Sequence, residues 1–146
     1  KVTDARQKNY VEGRIGMVID GTGKEYDKIR QQKADLEALG YDTHMIFVNT
    51  SLEVALERNA ARERTVPEDV AINSWKAVQG NIGKFSSLFR GTMIIVDNNK
   101  KDDDIEKMTF KEVKRLLGKK VRNTRAKQWI EMEMKRRGIT RAPKGF

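Results

Sequence analysis

Ile15-Gly16-Met17-Val18-Ile19-Asp20-Gly21-Thr22-Gly23 decides how this chain is read. A compact apolar run is followed at once by an acid and a Gly-Thr-Gly break. That is the pattern of a buried strand with a glycine loop at its carboxyl end. Two more runs repeat it: Thr43-His44-Met45-Ile46-Phe47-Val48 leads into Asn49-Thr50-Ser51, and Thr92 to Val96 leads into Asp97-Asn98-Asn99. The stretches between them have helical spacing. Lys24 to Leu39 carries Ile29, Leu36 and Leu39 and meets Gly40, a good helix C-cap. Asn49-Thr50-Ser51 supplies an N-cap for a helix through about Ala61, with Leu52, Ala55 and Leu56 on one face. Pro67 suits the first turn of a helix carrying Val70, Trp75, Val78, Ile82, Phe85 and Leu88. A short helix over 3–12 precedes the first strand. Helices from Asp102–Asp104 to about Leu117 and from Thr124 to Arg137 follow the last.

Strands alternating with helices imply an α/β fold. The expectation is a three-layer parallel sheet flanked by helices, with three strands side by side and their loop tips converging on one crevice. Ligands of parallel sheets bind outside the carboxyl ends of the strands.

Composition bounds the function. The 146 residues are enough for one domain with a core. There is no cysteine and a single histidine, His44, so disulfide scaffolds, thiolate zinc sites, cysteine nucleophiles and His-rich metal centres are excluded. Absent cysteine is compatible with a cytoplasmic location. No apolar run approaches the roughly 20 residues that cross a bilayer, so no membrane partner is expected. The net charge of +9 is unevenly placed. Residues 107–146 hold 14 basic and 3 acidic side chains, whereas residues 1–106 hold 16 and 18. The chain therefore reads as a near-neutral body over 1–106 and a basic helical extension over 107–146. Such an extension suits nucleic acid or an acidic protein through counterion release, or is simply a solvated helix. The opening run from Lys1 to Lys8 looks like the middle of a helix, so the expectation is a fragment, a processed product or part of something longer.

Three groups of residues could carry chemistry. Asp20, at the end of its strand, could take a proton from a substrate hydroxyl or help hold magnesium through water; the plainer reading is an Asx-turn residue. Arg58, Arg62 and Arg64 sit at a helix end and in the break after it. There they could fold over a transferring phosphoryl group or merely complement the helix dipole. Gly23-Lys24 fails as a Walker A loop, because G-x-x-x-x-G-K-[ST] needs glycine where Val18 stands and Ser or Thr where Glu25 stands.

Val18-Ile19-Asp20-Gly21-Thr22-Gly23, then Leu36-Glu37-Ala38-Leu39-Gly40-Tyr41-Asp42-Thr43 and Met45-Ile46-Phe47-Val48, resemble the zeta-toxin-like P-loop kinases over roughly residues 13–97, most of all phage-encoded relatives. The resemblance implies an ATP-dependent kinase that transfers a phosphoryl group to a small-molecule or nucleotide hydroxyl, with ATP and Mg2+. It puts Asp20 and Thr22 on the acceptor side, with Asp20 and Arg64 catalytic. Arg58 matches the helix arginine of the family, and Arg64, in Arg64-Thr65-Val66-Pro67, matches the lid arginine. Arg58, Arg62 and Arg64 would then meet ATP phosphates, and Asp97 and Asn98 would lie near the adenine.

The departure is large, because the family opens with a strand and a Walker A loop that residues 1–146 lack. In the family's sheet that strand lies between 15–20 and 43–48. Two outcomes are expected: an N-terminal segment outside this sequence fills the gap, or the two flanking runs pair directly. The chain alone should be inactive. The alternative is a non-catalytic, kinase-like structural or nucleic-acid-binding module of a phage.

Overall fold

The computed structural model describes residues 2–100 and 103–141. Helices α1 (Val2–Glu12) and α2 (Tyr26–Leu39) lead to strand β1 (Met45–Asn49). Helices α3 (Leu52–Ala60) and α4 (Glu68–Leu88) follow, then β2 (Met93–Asp97), α5 (Asp103–Leu117) and α6 (Thr124–Arg137). Asp102, expected in the first turn of α5, lies outside the described residues. The 106/107 boundary expected from the charge distribution falls inside α5, which is continuous.

The helix ends follow local chemistry. The Ser51 side chain accepts from the Val54 N–H and caps α3, and Asn123 accepts from the Arg125 and Ala126 N–H groups at the start of α6. Gly40 closes α2 at φ 112°, a left-handed conformation that glycine adopts without steric cost. Helix α1 ends differently. There Arg14, not a glycine, takes the left-handed position at φ 52°, and its guanidinium stacks 4.4 Å above the Trp129 ring of α6.

β1 and β2 are parallel and in register, with Met45 opposite Met93 and Asn49 opposite Asp97. Among the described residues these two strands are the whole sheet. The three-strand expectation therefore needs correction: residues 15–22 form no regular strand, and Val18 is fully exposed. A strand exists only through ladder bonds to a neighbouring strand, and among the described residues this run has no such partner. It does not pair with β1 either, so direct pairing of the two runs is not what the chain does.

The core sits where β1 meets α4. Phe47, Phe85 and Phe89 are buried, with Tyr26, Ile29, Val78 and Ile82 packed around them. Phe85 is the one large side chain fully buried among the described residues; its ring centroid lies 5.5 Å from Tyr26 and 6.4 Å from Phe47, both tilted. Val78, Ile82 and Phe85 of α4, continued by Phe89 at its C-cap, form the stripe that makes this contact. The core is small for the chain. The accessible surface is 11588 Å², against about 7,700 Å² for a compact monomer of this mass. Ile15, Ile19, Ile46, Val48 and Ile95 are among the apolar residues left exposed.

Phe85→Ala should remove about 3–5 kcal/mol of stability, whereas Ile82→Val should cost about 0.5–1.5 kcal/mol. Urea unfolding followed by tryptophan fluorescence checks both, and equal effects would contradict the placement of the core.

Candidate functional site

A cleft of about 790 Å³ separates the irregular segment before α2 from β1. One wall is Met17, Ile19, Asp20, Gly21, Thr22 and Gly23; the other is Thr43 to Val48. Residues of α2, among them Lys28, Ile29 and Leu36, form its floor. Among the described residues the β1 edge facing this space pairs with no strand, and β2 lies on the opposite side. The cleft is thus bounded by a strand on one side and an irregular stretch of chain on the other.

What holds the wall in place comes from α4. Asn81, buried in the helix, donates from Nδ2 to the carbonyls of Gly23 at 3.1 Å and Lys24 at 2.9 Å. Gly23 has φ 73° and rests against Val78, Phe47 and Phe85, so the loop turns directly over the core. Tyr41 holds the other end of the segment, its hydroxyl donating to the carbonyls of Tyr10 and Ile15, both at 3.2 Å. Asp20 and Thr22 lie between these two tethers, exposed at the cleft.

The remaining expected site residues lie elsewhere. Arg58 is half-buried in the last turn of α3, and Arg62 and Arg64 are exposed on the α3–α4 connection; none of the three lines the cleft. Asp97 Oδ1 accepts from the backbone N–H of Asn99 at 3.0 Å and from the Asn99 amide. Asn99 Oδ1 in turn accepts from the Ser51 N–H at 2.6 Å, and the Asn98 N–H donates to the Asn49 carbonyl at 2.8 Å. These contacts fasten the ends of β1 and β2 together, the turn-forming use of such residues. Trp75 and Gln79 of α4 join the same cluster through the Thr50 carbonyl and the Asn49 side chain, both at 2.8 Å.

No group of three His, Cys, Asp or Glu side chains suited to a metal occurs among the described residues. The two cleft lysines are engaged: Lys28 pairs with Glu25 at 3.6 Å, and Lys33 pairs with Glu37. The side chains present therefore do not by themselves make a site for a triphosphate or for magnesium. Burial would raise the Glu37 carboxyl, but hydrogen bonds from Lys33 and Thr43, with the charges of Lys33 and Arg122, outweigh it and hold it below the usual range.

Much of the basic extension is used within the chain. Arg125 donates to the Ala38 carbonyl at the end of α2, and the Arg122 N–H donates to Asp42 at 2.7 Å. Asn123 donates to the carbonyls of Glu37 at 2.8 Å and Tyr41 at 3.2 Å. Arg136 and Arg137 both pair with Glu133. No helix among the described residues is long and apolar enough to cross a membrane.

The chain matches the family described as Zeta toxin over residues 1–109. It belongs to the zeta toxin family. That family is P-loop kinase-like, so the zeta-toxin body here, from α1 into α5, is a kinase-like module. The matched span is wider than the motif-bearing stretch at 13–97 and ends inside α5, leaving α6 beyond it. No curated protein and no solved structure matches the chain.

Asn81 was not among the residues singled out from the sequence. The available signal was a polar residue at a core position of α4, between Val78 and Ile82. Asn81→Ala leaves the Gly23 and Lys24 carbonyls without their donor and should cost about 1–3 kcal/mol. Hydrogen exchange should accelerate first at residues 21–25, and uniform acceleration across α4 would contradict the tether.

His44 supplies a pH test. Its Nδ1 is buried without a partner. Burial pushes the imidazole below its ordinary value near 6.5; Asp42 opposes that push, and Arg122 and Lys119 add to it. The unfolded chain then takes the proton more readily. This contribution to stability is complete above about pH 6.5 and lost as the pH falls below it. In urea titrations, His44→Gln should lose less stability than the wild type between about pH 7 and pH 5. Parallel curves would show that His44 is not the group responsible.

Proposed function

We propose that this chain is the acceptor-side and lid portion of an ATP-dependent kinase acting on a small-molecule or nucleotide hydroxyl. The strand and phosphate-binding loop that fill the cleft would come from sequence outside residues 1–146. The observation that carries the reading is the cleft itself. It is bordered by the free edge of β1 on one side and by the apolar run at 15–19 on the other, so a strand entering it would extend the parallel sheet in a zeta toxin fold.

In this reading Asp20 accepts the proton of the attacking hydroxyl, and Thr22 hydrogen-bonds the acceptor. The hydroxyl oxygen bonds to the γ-phosphorus as the bond to the ADP oxygen breaks. Arg64, with Arg58 and Arg62, supplies positive charge to the phosphoryl oxygens, the main catalytic requirement of such a transfer. Asp97 and Asn98 stay near the adenine side. Magnesium, generally used by the family, would be held chiefly by the phosphates and by groups beyond this chain, because the described residues offer no metal cluster.

The test compares residues 1–146 with the complete gene product. Calorimetric titration with ATP·Mg2+ should show binding by the complete product only. In that product, Arg64→Ala should lower turnover by about a thousandfold, the low end for an arginine acting on a phosphoryl group, with an unchanged melting midpoint. Full turnover by residues 1–146 alone would overturn the missing-loop reading, and normal turnover by the variant would remove the lid role.

A further inference from the structure

Resting on the kinase reading, we propose that Asn59 is the positioning residue of the arginine loop. Asn59 lies in the last turn of α3, and its side-chain amide binds a single residue, Val66, twice. Nδ2 donates to the Val66 carbonyl at 2.7 Å, and the Val66 N–H donates to Oδ1 at 3.1 Å. A primary amide presents a donor and an acceptor side by side. It therefore pairs with the backbone of Val66 as a neighbouring strand would.

Of the six residues between them, Ala60 ends α3 and 61–65 form the connection, and all six are exposed. They carry Arg62 and Arg64, and among the described residues neither guanidinium has an ion-pair or hydrogen-bond partner. Pro67 follows at φ −48°, and α4 begins at Glu68. The clasp thus joins the end of α3 to the start of α4, and the connection is a closed loop with a fixed neck rather than a free linker. Fixing the neck removes, before any phosphate arrives, part of the conformational freedom the arginines would otherwise lose on binding. Asn59 touches no reacting atom; it acts through Arg62 and Arg64.

Two readouts test this, one independent of chemistry. The first is native-state trypsin cleavage after Arg62 or Arg64, compared between wild type, Asn59→Ala and Asn59→Asp. The second is ADP release from ATP with Mg2+ by the complete gene product and the same variants. Asn59→Ala should be nicked at this loop about tenfold faster, with a melting midpoint close to wild type, as expected for local opening after loss of two hydrogen bonds. Its kcat should fall about tenfold with a smaller change in KM for ATP. Asn59→Asp keeps the acceptor for the Val66 N–H and should lie between.

If Asn59→Ala is cleaved throughout because it fails to fold, Asn59→Asp carries the comparison. Wild-type nicking rates in both variants overturn the clasp. Faster nicking with unchanged kcat overturns the positioning role. A wild-type protein that releases no ADP overturns the kinase reading instead, and the nicking rates still decide whether the clasp holds the loop.

Discussion

The body depends on Phe85. Its ring is the point where β1, α4 and the first turn of α2 meet, and everything that shapes the cleft is referred to it. Phe47 reaches it from the strand and Tyr26 from α2, while Gly23 places the wall loop against the same ring. One turn back along α4, Asn81 fixes that loop through its carbonyls. Packing and polar tethering therefore come from one helix, and a shift of α4 would move the sheet face and the Asp20 loop together.

Two asparagine amides do similar work on two helices, α3 and α4. Asn81 bonds an irregular segment that has no strand partner, and Asn59 closes the arginine loop. In both places secondary structure does not satisfy the local backbone, and a side chain takes over that role. The residues expected to carry chemistry, Asp20, Thr22, Arg62 and Arg64, stand on segments of this kind. They are positioned by bonds from residues that carry none of the chemistry themselves.

What the sequence discloses follows range. The helices were legible because their signals are local: Gly40 after the last turn of α2, Ser51 before the first of α3, and the apolar stripe of α4. β1 and β2 were legible as apolar runs, and each proved to be the other's neighbour. Ile15–Asp20 has the same local signature, but being a strand is a property of a pair. The loop at 20–22 lines the cleft, whereas the tips at 49–51 and 97–99 expected to converge with it do not. The links from Asn81 to Gly23 and from Arg125 to Ala38 span 58 and 87 residues, and no spacing rule reveals contacts of that kind. The count of basic residues past 106 was plain in the sequence, and so was the spacing that pairs Arg136 and Arg137 with Glu133 inside α6, whereas the bond from Arg125 to Ala38 depends on how the start of α6 meets the end of α2.

The bare margin of β1 has a practical corollary. A strand edge with no partner strand among the described residues, beside exposed Ile46 and Val48, is the kind of margin on which an extended peptide can add, including one from another copy of the same chain. Charge repulsion at +9 keeps copies apart only where salt does not screen it. In concentrated, high-salt solution this polypeptide is therefore prone to self-association along that margin, and a short strand-forming peptide added in excess should act as a solubilising cap.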